Sequence, residues 1–180
     1  MSHGPGSRNG WPALPYAEWA ETCAALHLWS QVVGKYRLAH APWMNHSWHA
    51  TFYVTPCGLT TGPVPDGDSA TILTFDLKDH VLVGRTREMR ESFPLEAMSV
   101  AEFLERTSAL VERLGGRVNI HGAPNEIPNA KPFAEDTKRR SYDRAAVERF
   151  HQALLQIDRV FNRFRTGFIG KDSPVHLFRG

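Results

Sequence analysis

The sequence predicts an α+β protein: an antiparallel β-sheet of about four to six strands packed against two or three long helices. Three observations carry that prediction. Apolar residues between Tyr16 and Val33 recur at three-and-four spacing. Between Trp48 and Leu95 the period falls to two, and turn-forming residues interrupt it. From Val147 to Phe168 a second helical stripe runs for about six turns, the longest periodic feature of the chain.

Residues 1–10 hold Gly or Ser at five positions and are expected to form a flexible tail. That leaves 11–180 as a single α+β domain, open to being incomplete at its C-terminus. Trp11-Pro12-Ala13-Leu14-Pro15 is extended by its prolines, with Trp11 and Leu14 expected to be buried. The first helix runs from Tyr16 to Val33, extensible to Leu38, and Pro42 closes anything helical. Trp19, Cys23, Leu26, Ser30 and Val33 form one stripe; Ala20, Ala24, His27, Gln31 and Gly34 form its neighbour.

From Trp48 the alternation puts Trp48, Ala50, Phe52 and Val54 on one strand face and His49, Thr51, Tyr53 and Thr55 on the other. A turn at Cys57-Gly58 leads to a short return, Leu59–Gly62, and Pro63–Gly67 reads as a loop. A strand from Ala70 to Leu77 turns at residues 78–80 into Val81–Thr86, and Arg90–Leu95 adds a short strand. Ser99-x-x-Glu102 is a capping box. Its helix turns Phe103, Thr107, Leu110 and Leu114 inward and ends at Gly115-Gly116. Arg117–His121 is expected to be a strand, and Ala123–Thr137 a long connection with three prolines. Asp143 is the N-cap expected for a third helix lying across the sheet. The apolar Val175, Leu177 and Phe178 either cap a sheet edge or lead into a longer natural protein.

The net charge of +2 is too small to imply a nucleic-acid partner, and Lys138-Arg139-Arg140 reads as a solvated loop. No apolar stretch is long enough for a membrane span, and Met1–Gly10 lacks the core of a signal peptide. Cys23 and Cys57 have neither metal nor redox spacing. Cytoplasmic residence is the simplest expectation.

The densest chemistry lies between Leu26 and Thr55, centred on Asn45-His46-Ser47-Trp48-His49. His27, Gln31 and Lys35 recur every four residues and line one helix face, the wall of a pocket for a small polar or anionic ligand. Arg37, with its planar fork of donors, suits a carboxylate or phosphate. Lys35, Arg37, Asn45, His46 and Trp48 are the candidate ligand contacts. His27, His49 and Glu126, the last restrained between Pro124 and Pro128, are the candidate acid–base groups. His46 and His49 are weak metal candidates. Zinc would need a third ligand from His27, His80, His121, His176, Glu126 or Asp136, and no spacing selects among these. The cofactor is therefore open, with a divalent metal and a metal-dependent hydrolase as one alternative. Ser173 near His176 lacks an acid partner. A structural alternative also stands: the polar cluster only fixes the turn from helix to sheet, and the protein is an interaction domain.

Several of these motifs together resemble an uncharacterised family of bacterial proteins, catalogued as a domain of unknown function. They are Trp11-Pro12-x-Leu14-Pro15, the run Leu26–Lys35 (LHLWSQVVGK), Asn45–His49 (NHSWH), Gly58–Thr61 (GLTT), Pro124-Asn125-Glu126 and Phe168–His176 (FIGKDSPVH). The similarity covers essentially everything after residue 10. The resemblance implies no activity, but its motif positions coincide with His27, Lys35, Asn45, His46 and His49. Members of that family look longer than this chain, which implies a fragment or a short variant, and a homo-oligomer through the C-terminal edge is a further expectation.

Overall fold

The structure, a computed structural model, describes residues 10–178. The expected N-terminal tail, apart from Gly10, lies outside them. Helix α1 (Tyr16–His40) is followed by a 3-10 turn (Asn45–Ala50) and five strands: β1 (Tyr53–Thr55), β2 (Gly58–Asp66), β3 (Ser69–Asp76), β4 (Val81–Arg85) and β5 (Arg90–Pro94). Then come α2 (Val100–Arg113), a 3-10 turn at Phe133–Glu135, and α3 (Arg144–Arg165). The strands form one antiparallel meander in sequence order, β1-β2-β3-β4-β5.

Alternation along the strands turns Leu59, Leu73, Phe75, Leu82 and Phe93 into one buried face. Helix α1 packs on it, buried around its whole circumference from Leu28 to Arg37, with contacts to α2, α3, β2 and the 45–50 turn. Phe103 of α2 joins the layers: it stacks on Trp29 (5.1 Å between centroids) and Phe75 (5.9 Å), and Phe93 meets it edge-on (5.6 Å). A Cβ on Gly84 of β4 would stand 2.3 Å from Leu110 and 2.6 Å from Leu114, so α2 rests directly on the strand backbone there. The Ser99–Glu102 capping box and the Asp143 N-cap are both formed.

Five expectations are corrected. Residues 48–50 are not strand: the 45–50 segment is a 3-10 turn with His46 and Ser47 at positive φ (57° and 54°), and strand pairing begins only at Phe52. Residues Pro63–Asp66 are not loop but the second half of β2. Their prolines are tolerated because β1 pairs only with residues 58–60, which leaves this half of β2 free on its outer side. Arg117–His121 joins no strand among the described residues; Val118 and Ile120 pack on the core without a ladder. Trp11 is 59% exposed, although Leu14 does pack against the core. Helix α3, expected to pack along its whole stripe, meets the sheet at β1, and α1, through its first half. Val147 and Leu154 are buried, whereas Phe161, Phe164 and Phe168 of the same stripe are exposed.

Near the C-terminus Leu177 bridges to Phe52, with the Phe52 N–H donating at 2.9 Å and the Leu177 N–H at 2.7 Å. The apolar tail thus extends the β1 edge. Among the described residues no helix is long and apolar enough to cross a membrane.

Candidate functional site

The predicted site residues fall on two sides of α1. Residues 35 and 37 are separated by about 200° around a helix axis, so Lys35 and Arg37 cannot serve one cavity from the same helix face.

On the first side the four-residue row meets the connection after α2. The Gln31 amide grips the backbone of Asn125: Nε2 donates to the Asn125 carbonyl (3.0 Å), and Oε1 accepts the Asn125 N–H (2.8 Å). This pairing fixes which end of the amide is nitrogen. The same Nε2 lies 3.1 Å from His27 Nε2, so that imidazole nitrogen is the acceptor and the neutral ring carries its proton on Nδ1. Lys35 Nζ donates to Asn125 Oδ1 at 3.2 Å. Lys35 is only 5% exposed and has no carboxylate within 4.0 Å among the described residues. Burial holds its amine below the usual lysine range. Glu126 follows at φ 58° and is exposed. His27 and Lys35 are therefore joined through Gln31 and Asn125, and Glu126 is the next residue of the chain.

Beside this joint a cleft of about 240 Å³ lies between Leu28 of α1 and the 124–140 segment. Pro124 and Ile127 form its apolar wall; Lys131, Lys138 and Arg140 form the charged one, with Asp136. Arg140 is held by Asp136 through two contacts (2.8 and 3.2 Å), and Lys138 reaches Glu21 at 3.7 Å. The reading of 138–140 as solvated loop holds for Lys138 and Arg139, which are exposed, and fails only for Arg140, which is largely buried against Asp136. The Asp136–Arg140 spacing was the available signal; the chain reversal that folds it onto α1 left none.

On the second side lies the Asn45–His49 motif. The Met44 N–H donates to His49 Nδ1 (3.0 Å), which buries that imidazole as the lock of the turn. Thr51 Oγ1 donates to the Trp48 carbonyl (2.9 Å), and Arg37 Nη1 donates to the Thr51 carbonyl while its guanidinium lies 5.4 Å from the Tyr53 ring centroid. Arg37 Nε is buried without a partner. Asn45 and His46 face solvent. The His46 ring lies 5.4 Å from Trp48, and His176 approaches that indole edge-on at 6.5 Å, so the 45–49 and 168–176 motifs meet. Among the described residues no group of three or more His, Cys, Asp and Glu side chains is placed to hold a metal ion, so His46 and His49 gain no third ligand of those types.

Around α1, buried polar and charged side chains are thus bonded internally on both sides, under the 124–140 cleft and inside the 44–53 turn. Comparison with curated proteins and with solved structures finds no match to this chain. A family model matches residues 11–180, nearly the whole length, and the chain belongs to that family of unknown function, DUF5996.

Proposed function

We propose that this protein binds a small anionic ligand in the cleft between α1 and the 124–140 segment. The observation that carries the reading is a charge imbalance. Three cations line the cleft: Asp136 answers Arg140 and Glu21 answers Lys138, which leaves Lys131 with no ion-pair partner among the described residues. A fourth cation, Lys35, is buried behind the adjoining Asn125 with only a neutral amide oxygen for company. An ammonium taken out of water without a counter-charge is costly, and an anion placed nearby relieves that cost. The cleft volume falls below the range typical of drug-sized ligands, which favours a compact anion such as a phosphate or a short carboxylate. His27 and Gln31 position the loop, and Glu126 stands exposed beside Asn125.

The test is thermal unfolding in inorganic phosphate, succinate and citrate at matched ionic strength, for the native chain and for Lys35→Met. A saturable rise in Tm is expected with at least one anion; at a hundredfold excess over Kd the stabilisation is about 2.7 kcal/mol. Lys35→Met should remain folded and lose most of that rise. A native protein indifferent to all three anions would remove the reading.

A second reading is favoured by the other set of contacts. His49, Thr51 and Arg37 spend their polar atoms on backbone groups of the same turn, as a structural device joining helix to sheet would. In that reading the Asn45–His49 motif shapes the fold, and any ligand chemistry belongs to the cleft alone.

A further inference from the structure

We infer that the anion taken by the 124–140 cleft carries an aliphatic tail. The ligand is a free carboxylate of roughly four to six carbons, with its head on Lys131 and its tail on Leu28, Pro124 and Ile127. This rests on the anion-binding reading above and narrows it. The observation behind it is that the cleft has two chemically unlike walls, and an inorganic anion serves only one of them.

The apolar wall is held in place from both sides. Leu28 belongs to the buried stretch of α1 and is 8% exposed. Pro124, Ile127, Pro128 and Ala130 come from the connection after α2. Glu126 and Asn129 stand at positive φ (58° and 53°) on either side of Ile127-Pro128, and the Ala130 N–H donates to the Ile127 carbonyl at 3.3 Å. The segment therefore closes into a tight turn beside Leu28. Part of Ile127 packs on the core, which fixes where the rest of it lines the cleft.

The charge is placed next to that wall. Lys131 follows Ala130 directly and has no ion-pair partner among the described residues, whereas Lys138 and Arg140 are answered by Glu21 and Asp136. One unanswered cation on the lining matches one negative charge, so a monocarboxylate suffices. Size selects the tail. The cleft measures about 240 Å³. At roughly 30 Å³ for each water of the liquid, that is room for about eight waters, and so for a molecule of about eight non-hydrogen atoms. Hexanoate has that size. Inorganic phosphate is smaller and would leave the apolar wall wet. A neutral alcohol of the same length would cover the wall and leave Lys131 unanswered.

The experiment is an NMR titration of the ¹⁵N-labelled 180-residue chain with acetate, butyrate, hexanoate, hexan-1-ol and inorganic phosphate, at pH 7 and matched ionic strength. Kd is expected to fall about two- to fourfold for each methylene from acetate to hexanoate, with the largest shifts at the amides of residues 124–131. Lys131→Met should weaken all three carboxylates by a common factor of up to about fivefold and leave the dependence on chain length intact. Ile127→Thr should flatten that dependence. Thermal unfolding without ligand checks the fold of Ile127→Thr; Lys131 is exposed, so its variant tests the head whatever the fate of the other. Acetate and phosphate bound as tightly as hexanoate would overturn the tail and leave the anion reading standing. Hexan-1-ol bound as tightly as hexanoate would overturn the head. Shifts confined to residues outside the cleft would overturn the site, and a native chain silent to every anion would remove both readings.

Discussion

Gln31 is a side chain acting as a backbone. Its amide presents one donor and one acceptor to Asn125, the pattern a neighbouring strand would offer, and so pins a loop 94 residues away in sequence. Lys35, one turn on, exploits the same residue and remains a cation without a counter-charge. That condition has a signature in pH. Burial depresses the folded-state value of Lys35, so the unfolded chain binds more protons in the window between that lowered value and the ordinary lysine value. Stability should therefore rise with pH across that window. Tyr36 works in the opposite direction, its phenol raised by burial and by the hydrogen bond to Asp66, but its contribution is lost only above the ordinary tyrosine value. Tyr142, also raised by burial, acts over the same range as Tyr36, so below it the difference between the native chain and a variant lacking the amine reports Lys35. Urea unfolding of the native chain and of Lys35→Met between pH 7 and 9.5 should show a steeper rise for the native chain. Parallel lines would mean that the amine is not desolvated. The spacing of His27, Gln31 and Lys35 was legible in the sequence, because four-residue recurrence is a local property of a helix. Their partner was not, because no local pattern says which distant loop a polar row will grip.

At the scale of elements, periodicity read well wherever one face is buried and the other is not. Both α2 and the first half of α3 obey it, and so does β3. It failed where something other than burial sets the conformation. The 45–50 turn keeps an alternating sequence, yet the bonds from Met44 to His49 and from Thr51 to Trp48 close it into a 3-10 helix. The prolines of β2 mimic a loop because sequence does not disclose that β1 stops short of them. Gly84 is a third such case: inside a strand it reads as a weakness, and in the fold it is the seat of α2. Gly84→Ala should force Leu110 and Leu114 outward and lift the helix from β4. The expected destabilisation is about 1–3 kcal/mol, as for other overpacked cores, read as a lower urea midpoint with an unchanged m-value. A substitution that left the midpoint in place would show that the α2–β4 contact has slack.

For the molecule as a whole, α1 is the shared wall. The 124–140 cleft leans on its Leu28–Lys35 face, and α3 packs against it by the half that is not bare. Leu28 serves two purposes on that wall: it is buried in the core and it lines the cleft. Close packing ties the two together, because a cavity left at Leu28 lets the wall relax as well as costing core contacts. Leu28→Ala should therefore lower stability by about 2–5 kcal/mol, read as a lower urea midpoint, and should also reduce the anion-dependent rise in Tm. A variant that loses stability yet keeps the full rise would show that the cleft does not depend on how α1 is seated.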